Sequence, residues 1–130
     1  MSSFQYFAQP RQFQDRNQWW TDGQRKLLNS VKNASPHLIY LTDTPHPARD
    51  IPACLANNSI SKCNTTERSE NLSISGFDVI DPNAWLCSRT CPAVKDGVVA
   101  YRDASHISVD IAIALIPRLT QALRNQGVNL

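Results

Sequence analysis

Tyr101-Arg102-Asp103-Ala104-Ser105-His106-Ile107-Ser108 is the stretch that decides how this chain reads. It joins an apolar segment, Val98-Val99-Ala100-Tyr101, to a segment with helical periodicity that begins after Ser108. A strand-like run, a short polar turn and a capped helix are the parts of an α/β layer. The turn also carries chemistry. Asp103 and His106 stand three apart, so one carboxylate can orient one imidazole, and an oriented imidazole is a general base. Asp103 would fix the tautomer through one ring nitrogen and leave the other free for a hydroxyl. Ser105 and Ser108 are weaker participants, because Ser108 is placed as the cap of the following helix. On the spacing alone, a turn-capping aspartate beside a surface histidine is the more ordinary reading, because the motif is short.

Outward from the turn, Ile111, Ala112, Leu115, Leu119, Ala122 and Leu123 predict the buried stripe of the last helix. Pro117 should kink that helix and Gly127 should end it. Asp96-Gly97 predicts a small hairpin over residues 95–101. Phe77-Asp78-Val79-Ile80-Asp81 reads as a short strand stopped by Pro82, and His37-Leu38-Ile39-Tyr40-Leu41-Thr42 as a buried one. Before the latter, Thr21-Asp22-Gly23-Gln24 has the spacing of a capping box, with Thr21 as N-cap. Leu27, Leu28 and Val31 follow at helical spacing, and Asn33 to Pro36 close the helix. Helix then strand predicts an α/β fold with a parallel sheet. Residues 43–76 read as a long polar excursion, with a short helix near Thr66 to Leu72. Residues 1–16 read as a poorly ordered start and 17–130 as the folded part.

Composition narrows the function. The chain has 130 residues, 42% hydrophobic and 18% charged, which fits one globular domain. A formal net charge of +2 is too small to argue for nucleic acid or an anionic membrane surface. The longest apolar run, Ile111 to Ile116, is far below the roughly 20 residues of a membrane span. The start, Met1-Ser2-Ser3-Phe4-Gln5, does not read as an export signal. Four cysteines allow three pairings. Cys54–Cys63 and Cys87–Cys91 are preferred, because each pair brackets a turn-rich segment. Loops this short stabilise by about 2–3 kcal/mol each on chain-entropy reasoning. Disulfides imply an oxidising compartment, although free thiols remain an alternative. The cysteine spacings do not suit zinc, and no cofactor or metal is expected. The sequons at Asn57, Asn64 and Asn71 mark surface composition. His37 reads as a core-edge residue and His46, between two prolines, as loop scaffolding, with a substrate contact the lesser alternative. Trp19-Trp20 suits either packing at a sheet edge or stacking on a sugar ring, and Trp85 reads as a cover for the second disulfide.

The combination Asp81-Pro82, Leu86-Cys87, Cys91-Pro92, Gly97, Tyr101-Arg102-Asp103 and His106-Ile107-Ser108 resembles the C-terminal block of SGNH hydrolase domains. It is most similar to the SGNH domain fused to membrane acyltransferases of the acyltransferase-3 family. Asp43-Thr44-Pro45, Pro52 and Cys54-Leu55 resemble the strand end and cysteine loop of that subgroup, and Trp20, Gly23 and Leu27 to Val31 its preceding helix. The likeness spans roughly residues 17–125.

It implies a three-layer α/β/α sandwich with a parallel sheet, of which the first strand or strands are missing here. It implies esterase or O-acyltransferase chemistry on acyl groups, typically O-acetyl, of cell-surface glycans. His106 would be the general base and Asp103 its acid. The family's serine lies in a Gly-Asp-Ser motif, and none of Gly23, Gly76, Gly97 and Gly127 precedes Asp-Ser. The chain is therefore expected to be a fragment, inactive alone, that acts through a parent protein with an N-terminal membrane acyltransferase region outside the cytoplasm. The alternative is a non-catalytic, disulfide-stabilised extracellular binding module.

Overall fold

The computed structural model describes residues 16–35, 38–66 and 77–130. The sequence readings for residues 1–15, for His37, for Asn71 and for most of the helix near Thr66 to Leu72 fall outside them. The described elements run α1 (Arg16–Val31), β1 (Ile39–Leu41), α2 (Ile51–Asn57), α3 (Ile60–Cys63), β2 (Asp78–Ile80), α4 (Asn83–Leu86), β3 (Val94–Lys95), β4 (Val98–Val99), α5 (Val109–Ala114) and α6 (Ile116–Asn125).

The parallel sheet is present. β1 pairs with β2, Tyr40 opposite Val79, and Thr42 N–H extends the ladder to the Ile80 carbonyl at 3.0 Å. Among the described residues this sheet has two strands, so the expected three-layer sandwich is not displayed. β1 is accordingly half-covered rather than buried, with Leu41 49% exposed. A strand flanked on one side only has no neighbour to cover its outer face.

Helix α1 starts upstream of the expected cap. Thr21 lies inside it, because nothing in residues 16–20 breaks a helix and Asp22 joins successive turns. Gln18 Nε2 donates to Asp22 Oδ1 at 2.9 Å, and Arg25 does so at 2.8 Å. Leu28 is its buried residue. Tyr40 of β1 donates its hydroxyl to Gln24 Oε1 at 2.9 Å, which ties strand to helix.

The long excursion contains two helices that its polarity concealed. Asp50 caps α2 by accepting from Ala53 N–H at 2.8 Å, with Pro52 in the first turn. The cysteines pair as expected, Cys54–Cys63 and Cys87–Cys91. The two bracketed loops also meet: Thr65 and Cys91 exchange backbone hydrogen bonds at 3.0 and 2.7 Å, and Asn64 Oδ1 accepts from Ala93 N–H at 2.9 Å.

The core therefore sits beneath the cysteine loops. Ile51, Cys63, Leu86, Cys91, Ala93, Ala100, Tyr101 and Ile111 form it. The hairpin β3–β4 turns on Asp96 and Gly97, both at positive φ as a two-residue turn requires. Ser108 caps α5, accepting from Ile111 N–H at 3.3 Å. Pro117 divides the last helix at Leu115. Gly127, at φ 81°, ends it in a Schellman turn, with Val128 N–H bonded to Leu123 O and Gly127 N–H to Arg124 O. The expected buried stripe is a correction. Ile111 alone is buried, Ala112 is exposed, and Leu115, Leu119, Ala122 and Leu123 are half-covered. Beyond Pro117 no residue joins the core cluster, and Leu119 borders a groove instead.

Candidate active site

The Asp103–His106 turn is a closed loop with a rigid neck. Tyr101 and Ile107 form an antiparallel bridge, Arg102 N–H donates to His106 O at 2.9 Å, and Ser108 N–H donates to Ala100 O at 2.9 Å. Tyr101 anchors the neck in the core at 1% exposure, and burial pushes its hydroxyl pKa up to about 12.

Within the loop the Asp103 carboxylate is the hub. Its Oδ1 accepts from Ser105 N–H at 2.8 Å and from His106 N–H at 2.9 Å. Both carboxylate oxygens lie 2.9 Å from His106 Nδ1. Arg102 Nε approaches Oδ2 at 3.4 Å. Burial alone would raise the Asp103 pKa. The backbone N–H groups of Ser105 and His106 and the imidazole override it and hold the carboxyl well below the usual range. Asp103 is therefore ionised, and an ionised carboxylate only accepts. In the neutral imidazole the shared proton therefore belongs on Nδ1, which leaves Nε2 with its lone pair.

Ser105 Oγ lies 3.1 Å from that same Nδ1 and donates to Asp103 Oδ1 at 3.3 Å. It stands on the orienting side of the ring, so it is not the hydroxyl that Nε2 would activate.

His106 is 38% exposed and lines a groove of about 420 Å³. Asp43 and Thr44, directly after β1, line the same groove, together with Arg102, Trp85 and the inner side of α5 and α6. Asp43 thus shares a rim with His106, as expected for sites outside the carboxyl ends of parallel strands. Trp85 borders this groove besides its place beside Cys87.

One feature escaped the sequence reading. Asp43-Thr44-Pro45-His46 has the same spacing as Asp103 to His106, and it too closes into a pair. His46 Nε2 donates to Asp43 Oδ2 at 3.1 Å. His46 is scaffolding, as expected, but through a carboxylate and nearly buried, at 8% side-chain exposure. Asn83 continues the network, donating from Nδ2 to Asp43 O at 2.8 Å and to Asp81 Oδ1 at 2.7 Å. Thr42 Oγ1 donates to Asp81 at 2.9 Å. These bonds lock the ends of β1 and β2 together. The repeated Asp-x-x-His spacing was the available signal.

Trp19 and Trp20 stand side by side on α1, ring centres 6.4 Å apart and tilted by 43°. Among the described residues no cluster of His, Cys, Asp and Glu could hold a metal ion, and no helix is long and apolar enough to cross a membrane.

A family model described as the SGNH domain (fused to AT3 domains) matches residues 2–121. The match starts further toward the N-terminus than the motifs that carry the likeness. No curated protein and no solved structure matches the chain.

Proposed function

The chain belongs to the SGNH domains of the kind fused to acyltransferase-3 domains, and from that premise we propose that it carries the acid–base half of an esterase or O-acyltransferase site. His106 is the general base and Asp103 the acid that orients it. The acyl esters of cell-surface glycans, O-acetyl among them, are the substrates, reached through a membrane acyltransferase parent on the extracytoplasmic side. The two disulfides suit such a compartment. Residues 17–130 form the C-terminal portion of the three-layer sandwich.

The observation that carries this reading is the pair of 2.9 Å contacts between Asp103 and His106 Nδ1, with His106 bordering the groove. A general base takes the hydroxyl proton through Nε2 while the carboxylate stabilises the imidazolium that forms. A binding surface has no need of a fixed tautomer, which weighs against the non-catalytic module.

The sequence contains no Gly-Asp-Ser. Loss of a triad nucleophile costs roughly 10⁶ in turnover, so the 130-residue chain is expected to be inactive by itself. With p-nitrophenyl acetate, the purified chain should show no acyl-enzyme burst and no rate above an imidazole control. A fluorophosphonate probe should label none of its serines. A stoichiometric burst, or an adduct mapped to one serine, would overturn this assignment.

A further inference from the structure

The groove beside His106 is larger than an acetyl group needs. It offers about 420 Å³, within the range of sites that hold whole small molecules. Its lining is divided by origin. The polar groups come from two loops, residues 42–44 and Arg102 with His106. The long apolar wall comes from Leu115, Ile116 and Leu119 on the last helices, with Leu41 and Trp85 facing the same space. Leu115 packs on the core cluster and borders the groove as well, while Leu119, one turn further along, is half-covered and lines the groove without joining that cluster.

From this division we propose that the groove is an acyl-chain site. It takes a linear acyl group several carbons longer than acetyl, with its carbonyl end at the His106 loop and its hydrocarbon along Leu115, Ile116 and Leu119. The inference rests on the reading of His106 as the base, and it adds the acyl class. The occupant is an amphiphile because the lining is apolar except at two loops, one of which holds the reacting nitrogen. A sugar ring would set its hydroxyls against leucine and isoleucine side chains, which offer them no hydrogen bond.

The test uses the whole 130-residue chain, labelled with ¹⁵N and ¹³C and titrated with acetate, butyrate, hexanoate and octanoate. Affinity should rise up to about fourfold per added methylene, the equivalent of about 0.8 kcal/mol per buried CH₂. Shifts should concentrate on the methyl groups of Leu115, Ile116 and Leu119 and on the His106 ring. Leu119→Gln should lower octanoate affinity tenfold or more and leave acetate unchanged. Ile113→Gln, at a position outside the groove lining, serves as the folded control and should change neither. Affinity independent of chain length, or octanoate shifts scattered over the exposed apolar residues, overturns the proposal. So does a stable dimer with the Leu115 and Leu119 methyls protected at its interface. Octanoate that shifts the leucines without the His106 ring also overturns it, since the groove would then be separate from the base. The burst and labelling assays do not depend on chain length, so failure of the catalytic reading is seen independently.

Discussion

At the scale of single residues, one carboxylate does two jobs. Asp103 closes its own loop through two backbone N–H groups and fixes the His106 ring. The sequence spacing offered the two roles as alternatives, and the folded turn has one carboxylate making both sets of bonds. Because its folded pKa lies below the ordinary value, Asp103 contributes stability that is fully present above the unfolded carboxylate range, near pH 4. That stability is lost as pH falls through the lower folded value. Melting temperatures between pH 2 and 6 should fall less steeply for Asp103→Asn than for the parent chain. Equal acid slopes would show that the carboxylate is not held by these bonds. Tyr101 has the opposite sign. Its folded pKa is raised to about 12, so its contribution is intact below pH 10 and lost as pH rises through 12. Tyr101→Phe should flatten alkaline unfolding measured by circular dichroism. Tyr101→Ala should cost about 3–5 kcal/mol, the usual penalty for emptying an aromatic core position.

At the scale of elements, local chemistry was legible and tertiary covering was not. Asp96-Gly97 specified its hairpin, Ser108 its helix start and Pro117 its break, because each acts through backbone geometry within a few residues. The α2 helix was hidden by the polar composition around it, although Asp50 and Pro52 were its cap and first turn. Asp50→Ala should destabilise by about 1 kcal/mol in urea unfolding, with the slope unchanged. The start of α1 was misread because a capping-box spacing also occurs inside a helix, where Asp22 bonds to both neighbouring turns. The stripe of the last helix was correctly periodic. Periodicity does not state what lies opposite, and here that is the core for Ile111 and a groove for Leu119.

At the scale of the whole molecule, the core is organised by cysteines. Cys63 and Cys91 are fully buried in one cluster with Tyr101 and Ile111, and Thr65 pairs with Cys91 between the loops. The loop carrying Asp103 and His106 is thus anchored to the disulfide layer rather than to the parallel sheet. Reduction removes about 2–3 kcal/mol for each bridge, against a total of about 5–15 kcal/mol for a typical domain. Dithiothreitol should therefore lower the melting temperature sharply and release the His106 ring from its fixed environment in NMR spectra. An unchanged melting curve would mean that the sheet, not the cysteine layer, holds the fold. The pairing was legible from spacing. The contact between the two cysteine loops was not, since it joins segments far apart in sequence through backbone groups that any residue carries.

The role of His106 as base is tested most sharply by its tautomer, read from long-range ¹H–¹⁵N correlation spectra of the imidazole at a pH where the ring is neutral. The structure places Nδ1 at 2.9 Å from both oxygens of an ionised Asp103. A proton fixed on Nδ1, an unprotonated Nε2, and loss of that preference in Asp103→Asn are expected. A ring protonated on Nε2, or the tautomer mixture of free histidine in the parent chain, would contradict that role.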